Sequence, residues 1–144
     1  MSDLTLDAAQ TIVATALATA RSLALKPLAV VVLDARGALK AASVEDGTSL
    51  KRAEIAAAKA NGALALGIGS RAIAARAEAQ AYFVAAVNHV AGPLGLVPVP
   101  GGVLIRHEGR ILGAVGISGD TSDNDETAAV AGIEAAGLQA DTGA

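Results

Sequence analysis

The sequence predicts one α+β domain spanning residues 1–144, with a largely antiparallel sheet and helices packed against it. Three observations lead there. Two apolar segments, 28–44 and 103–118, each read as strand, tight turn, strand. Helical periodicity precedes, separates and follows them. Apolar residues make up 53% of the chain but aromatics only 1%, so the core must be assembled from Ala, Val, Leu and Ile.

Taken in order, Leu6, Ala9, Val13, Leu17, Ala20 and Ala24 recur at i, i+3/i+4 spacing and predict a helix over 5–25, with Thr5 as N-cap. Lys26-Pro27 ends it, because proline disfavours helix in the residue before it. Residues 28–33 are β-branched-rich and suit a strand buried on both faces. Asp34-Ala35-Arg36-Gly37 has Asp first and Gly fourth, a type I turn arrangement, and 39–44 is the returning strand. Ser49 is placed to cap a second helix over 50–67. Gly62 inside that helix costs about 1 kcal/mol against alanine, which points to close approach of another backbone. Gly67 and Gly69 break the helix. A third helical stretch covers 72–91, with an interruption near Arg76. The glycine- and proline-rich segment 92–102 reads as a loop that covers or lines a cleft. Residues 103–106 and 110–118 form the second hairpin around Glu108-Gly109, a last helix spans 124–138, and 141–144 read as frayed.

Composition removes several functions. The net charge is −3, with both signs scattered and almost no aromatics to stack on bases, so no nucleic-acid partner is expected. There is no cysteine, hence no disulfide, thiolate metal site or cysteine catalysis. His89 and His107 are far apart in sequence and make no zinc site, and 120–126 lacks the EF-hand glycine and distal glutamate. No metal site is therefore expected. Met1-Ser2-Asp3 leads straight toward a helix without a signal pattern, and no apolar run reaches the ~18 residues of a membrane span. The expectation is a cytoplasmic protein with no membrane partner. Small side chains bury modest area at about 25 cal/mol per Å2, which argues for a homo-oligomer.

The most informative stretch is 101–126. Gly113, Gly116 and Gly119 recur every three residues, a spacing that belongs to neither a Rossmann turn nor a P-loop. Glycine in a strand admits a close neighbour or a bulge, so the corner reads as packing, with direct ligand contact at the start of the last helix as the alternative. Asp120, Asp123, Asp125 and Glu126 read as capping that helix and complementing its dipole. Gly67-Ile68-Gly69-Ser70-Arg71-Ala72 matches G-x-G-x-x-A, but it follows a helix where a nucleotide fingerprint needs a strand. His107 reads as a solvated turn residue.

Gly101-Gly102-Val103-Leu104-Ile105, then Gly109, Gly113, Gly116, Ser118-Gly119 and the pair Asp125-Glu126, form one motif block. Asp46-Gly47 followed by Ala56 and Lys59-Ala60 forms a second. In this combination the chain resembles the GlcG/HbpS-like haem-binding family, which also occurs as the C-terminal part of PduO-type proteins. The resemblance covers about 4–138. It implies a profilin-like layered fold, with about five antiparallel strands and helices on the faces, and frequent oligomers. It also implies a small-molecule ligand, haem or another tetrapyrrole in some members.

Haem iron is held by His, Tyr, Cys or Met, which makes His89 and Tyr82 the axial candidates here. Gly101, Gly102, Gly116 and Gly119 would border the ligand, between the second helix, the 92–102 loop and the glycine corner. A rival reading is an enzyme acting on a small unsaturated or oxo-carboxylic acid by tautomerisation or hydrolysis. Arg52, Arg71 and Arg76 would clamp carboxylates, and Lys59 would serve as a base or pair with Asp46, Asp125 or Glu126. A third reading is a structural assembly subunit without ligand.

Overall fold

The computed structural model describes residues 2–144. The elements are α1 (Leu6–Ser22), β1 (Ala29–Asp34), β2 (Leu39–Val44), α2 (Arg52–Leu66), α3 (Ser70–Ala79), α4 (Ala81–Val90), β3 (Gly102–His107), β4 (Arg110–Ser118), α5 (Ser122–Ala135) and β5 (Gln139–Asp141). One five-stranded antiparallel sheet has the order β2-β1-β4-β3-β5. The α+β prediction and the five-stranded layered sheet both stand.

Alternation along the strands decides which helix meets which face. Val30, Val32, Val103, Ile105, Val115 and Ile117 point to α1 and α5. Val31, Leu33, Leu104 and Ala114 point to α2, meeting Ala56, Ala60 and Ala63. The central strands are therefore covered on both sides, which is why 28–33 is continuously apolar. A separate small cluster of Ile73, Val84 and Leu96, flanked by Phe83 and Val87, joins α3, α4 and the loop after α4. Gly62 is where that loop comes down on α2: a Cβ there would lie 2.5 Å from Leu96 Cβ.

Local details depart from the sequence expectations for identifiable reasons. Thr5 does cap α1, accepting from Ala8 N at 3.1 Å. The helix stops at Ser22, before Lys26-Pro27, because Ala24 turns left-handed (φ 56) and Leu25 N bonds back to Ala20 O at 2.9 Å. Ser49 does not cap α2. Lys51 is the N-cap, without a side-chain bond, and Ser49 Oγ instead accepts from Arg52 Nε at 3.3 Å. The third helical stretch breaks at Gln80, not Arg76, where the backbone leaves the helical region (φ −145, ψ 66) and Gln80 Oε1 accepts from Arg76 Nε at 2.7 Å. The last helix begins at Ser122 and is capped by Thr121, whose Oγ1 accepts from Asn124 N at 3.2 Å. The tail is not frayed at Asp141. Gln139–Asp141 add β5 to the edge of β3, and Arg106 Nε bonds Asp141 Oδ2 at 2.8 Å.

Asp120 works as a stitch between distant segments instead of a helix cap. Its carboxylate accepts from Lys26 N, Thr121 N and Asn124 Nδ2, each at 2.8 Å. The bond from Lys26 N, helped by those from Asn124 and Thr121, lowers its pKa from 3.8 to about 2. A folded-state pKa below the unfolded one contributes stability that is complete above the unfolded value and is lost as pH falls through the folded one. Wild type should therefore be more stable than Asp120→Ala at neutral pH, and the gap should close between pH 3.8 and about 2. Urea unfolding of both proteins across that range would check this, and a constant gap would contradict it.

Candidate functional site

The glycine corner is where α2 lies directly on the sheet. A Cβ on Gly116 would run into Ala56 O of α2, and one on Gly102 into Lys59 O. A Cβ on Gly119 would strike Pro27 O. Gly101, at φ 121, passes so close that a Cβ would lie 2.8 Å from Lys59 Nζ. All four glycines are thus filled by the protein's own backbone and side chains.

Lys59 is buried beneath them, with 2% of its side chain exposed, and Asp125 has 1%. Lys59 Nζ donates to Ile117 O at 2.9 Å and to Asp125 Oδ2 at 3.2 Å, while Asp125 Oδ1 accepts from Asp120 N at 3.0 Å. Burial pushes the Lys59 pKa down, against the pull of Asp125. Burial likewise pushes Asp125 up, against the pull of Lys59. The pair ties α2, the end of β4 and the first turn of α5 together. Of the three acids considered for Lys59, Asp125 is the partner.

Two buried serines complete the corner, both named above only within longer motifs and not as site residues. Ser70, the first residue of α3, accepts from Gly102 N at 2.7 Å, and Ser118 accepts from Arg52 Nη1 at 3.1 Å. A small polar residue right after Gly69 was the available signal for Ser70.

The cationic candidates occupy separate settings. Arg71 is bound by α5, with Nε 3.1 Å from Glu126 Oε2 and Nη2 on Asp123. Arg76 is exposed, bonded to Gln80 and stacked 4.2 Å from the centroid of Phe83. Lys59, Arg71 and Arg76 therefore share no open cleft, and neither Lys59 nor Arg71 has a free charge.

Open space lies elsewhere, between α3, α4 and the 91–101 loop. An apolar trench of about 390 Å3 is walled by Ala77, Ala81, Val84, Ala85, Leu96 and Pro98. It adjoins, through Ala77 and Pro98, a second groove of about 480 Å3 that reaches Thr121 and Asp123 at the start of α5. Two asparagines hold the loop in place. Asn61 Nδ2 donates to Ala91 O at 2.9 Å and Gly95 O at 2.7 Å, and Asn88 Oδ1 accepts from Leu96 N at 2.9 Å. The 92–102 loop thus lines a cleft as expected, but on its α4 side, away from Gly116 and Lys59.

His89 and Tyr82 stand on α4, and both are exposed, Tyr82 by 73%. They are seven residues apart, so they share one face of the helix. Ala85, which walls the trench, lies one turn from each. Tyr82 Oη accepts from Gln80 Nε2 at 3.2 Å, which links it through Gln80 to Arg76.

The family model described as "Haem degrading protein HbpS-like" matches residues 4–134. The chain belongs to the HbpS-like family. A crystal structure of HbpS is 26% identical with a TM-score of 0.81, covering 93% of this chain and 90% of that one. A double mutant of Streptomyces reticuli HbpS is 25% identical at TM-score 0.81, over 93% and 87%. A PduOC:heme complex shares the fold at TM-score 0.84 and 23% identity, covering 94% of this chain and 96% of that one. No curated protein matches. Among the described residues of this HbpS-like chain, no helix is long and apolar enough to cross a membrane.

Proposed function

We propose that this HbpS-like protein binds haem or a related tetrapyrrole along the exposed face of α4 and the trench beside it. The observation that carries the reading is the placement of Tyr82 and His89, two residue types that ligate haem iron, on one exposed face beside an apolar trench. Membership of a haem-binding family supports the same ligand. The residues fit such a group. Ala81, Ala85 and Leu96 offer an apolar wall, the His89 imidazole or the Tyr82 phenol offers an axial ligand, and Arg76 offers a cation for a carboxylate side arm. Once bound, the iron would supply redox and dioxygen chemistry. What the chain itself does is hold the macrocycle edge, present the ligating atom and keep the loop wall in place through Asn61 and Asn88. Gly101, Gly102 and Gly116 contribute by seating α2, which carries Asn61, and Gly119 by admitting Pro27 and Leu28 at the end of β4. The reading includes self-association, supported by seven large aliphatic side chains left exposed among the described residues, including Leu50 at 89% and Val90 at 84%.

Absorbance titration with hemin tests it. Wild type should give a saturable Soret shift, and His89→Ala should weaken binding by about tenfold or more. Tyr82→Phe tests the phenol in the same way. No saturable shift in wild type removes the ligand, and a shift indifferent to both substitutions removes the axial assignment. The same sample, run with light scattering, reads the assembly state; a mass of 14.0 kDa throughout would remove self-association. Bleaching of the Soret band with ascorbate under air, beyond that of hemin in buffer, would extend binding to degradation.

A further inference from the structure

A second recess, partly open to solvent, lies at the other end of β4, remote from α4. It measures about 400 Å3 and sits where the β1–β2 turn, the first residues of β4 and the N-terminal segment meet. Its floor is apolar, with Leu4 and Leu112 at 3% and 2% exposure. Its walls are charged, and the cations Arg36, Lys40 and Arg110 come from three different elements.

The acids present do not use up those cations. Asp34 is engaged by Arg36, with Nη2 to Oδ2 at 2.9 Å and Nε to Oδ2 at 3.3 Å. Its other oxygen accepts from Arg36 N at 2.9 Å and Ala38 N at 3.1 Å. That leaves Asp3 alone against Lys40 and Arg110. Among the described residues Arg110 makes one bond, from Nη2 to Ser2 O at 2.6 Å, so most of its five donors remain. Lys40 is half-buried, yet among the described residues its ammonium has no hydrogen bond or ion pair. Two cations lining one recess, with a single carboxylate left to answer them, can be bridged by an anion through charge-assisted bonds.

We infer that this cavity binds a small anion bearing at least two anionic oxygens, a phosphate or a dicarboxylate, bridged between Lys40 and Arg110. Two cations from separate strands favour an anion with two acceptors over a single halide. The site is independent of the tetrapyrrole reading, because no residue lines both places.

Isothermal titration with inorganic phosphate and, separately, with succinate would test it on the full chain. At least one should bind saturably in the millimolar range or tighter, and the two arms separate a phosphate from a dicarboxylate. Lys40→Gln and Arg110→Gln should each weaken binding by about tenfold, Lys40→Arg should restore most of it, and Lys51→Gln, outside the cavity, should leave it unchanged. Circular dichroism of the ligand-free variants checks that they remain folded. No saturable binding by either anion would overturn the inference, as would equal affinity in Lys40→Gln, Arg110→Gln and wild type.

Discussion

Asp125→Ala should lower the unfolding free energy by about 3–5 kcal/mol, because it strands the Lys59 ammonium in the interior with Ile117 O as its remaining partner. Lys59→Met should cost a comparable amount by the opposite route, leaving a buried carboxylate with only Asp120 N. The double variant Lys59→Met/Asp125→Leu is expected to recover most of the loss, since burial opposes ionisation of both partners. A double-mutant cycle by chemical denaturation measures the coupling. Strictly additive losses would show that the two side chains do not act as one closed unit. Because the pair lies under the glycine corner and away from α4, hemin binding by the folded double variant should match wild type.

The second large effect belongs to one missing methyl group. Gly116→Ala should cost about 3 kcal/mol, near the top of the usual range for overpacking. The obstructing atoms are backbone: Ala56 O, Ala56 C at 2.8 Å and Ala60 N at 3.0 Å from an added Cβ. A helix carbonyl cannot swing aside as a side chain can, so α2 must lift off β4. Gly137→Ala is the control. It has a left-handed backbone (φ 76) but nothing within 4 Å of an added Cβ, so conformational strain of about 1 kcal/mol is its only penalty. Thermal melting of the two variants side by side decides the point. If Gly116→Ala melts as high as Gly137→Ala, α2 is not seated as described. Lifting α2 should also free the Asn61 bonds to Ala91 O and Gly95 O, visible as faster amide exchange in the 91–96 loop.

The main elements were legible where the sequence carries its own punctuation. Asp34 to Gly37 and Glu108-Gly109 are turn signals at the right spacing, and both hairpins form around them. β5 was not legible because its three residues have no strand character of their own. They become a strand only by pairing with Leu104, Ile105 and Arg106. The break at Gln80 was hidden for a related reason: no glycine or proline marks it. Lys59 could be recognised as a charge inside an alanine-rich helix, but its choice among three acids depends on how α5 docks. Capping was assigned to the acids because they stand at the start of the last helix, and Asp123 and Asp125 do fall in its first turn. The structure gives that role to Thr121, and uses Asp120, Asp125 and Glu126 for contacts between elements. The candidate site was legible in its residue types and not in its location. His89 and Tyr82 share a face by arithmetic alone, whereas the trench arises from Leu96 settling against Gly62 and Ile73, which no local pattern announces.

The pairing of β1 with β4 at the centre of the sheet also governs the order in which the molecule can assemble. Ala29 lies opposite Ser118, and Asp34 opposite Gly113. The β1–β2 hairpin can form early under α1, but one edge of β1 then stays unpaired. β1 finds its second neighbour only after the whole α2–α3–α4 excursion and the β3–β4 hairpin exist. Closing so long a loop comes before any reward from the contacts it brings, so the docking of the two hairpins is the natural rate-limiting event. During synthesis the first hundred residues must wait, with one edge of β1 unpaired, for β4 to emerge.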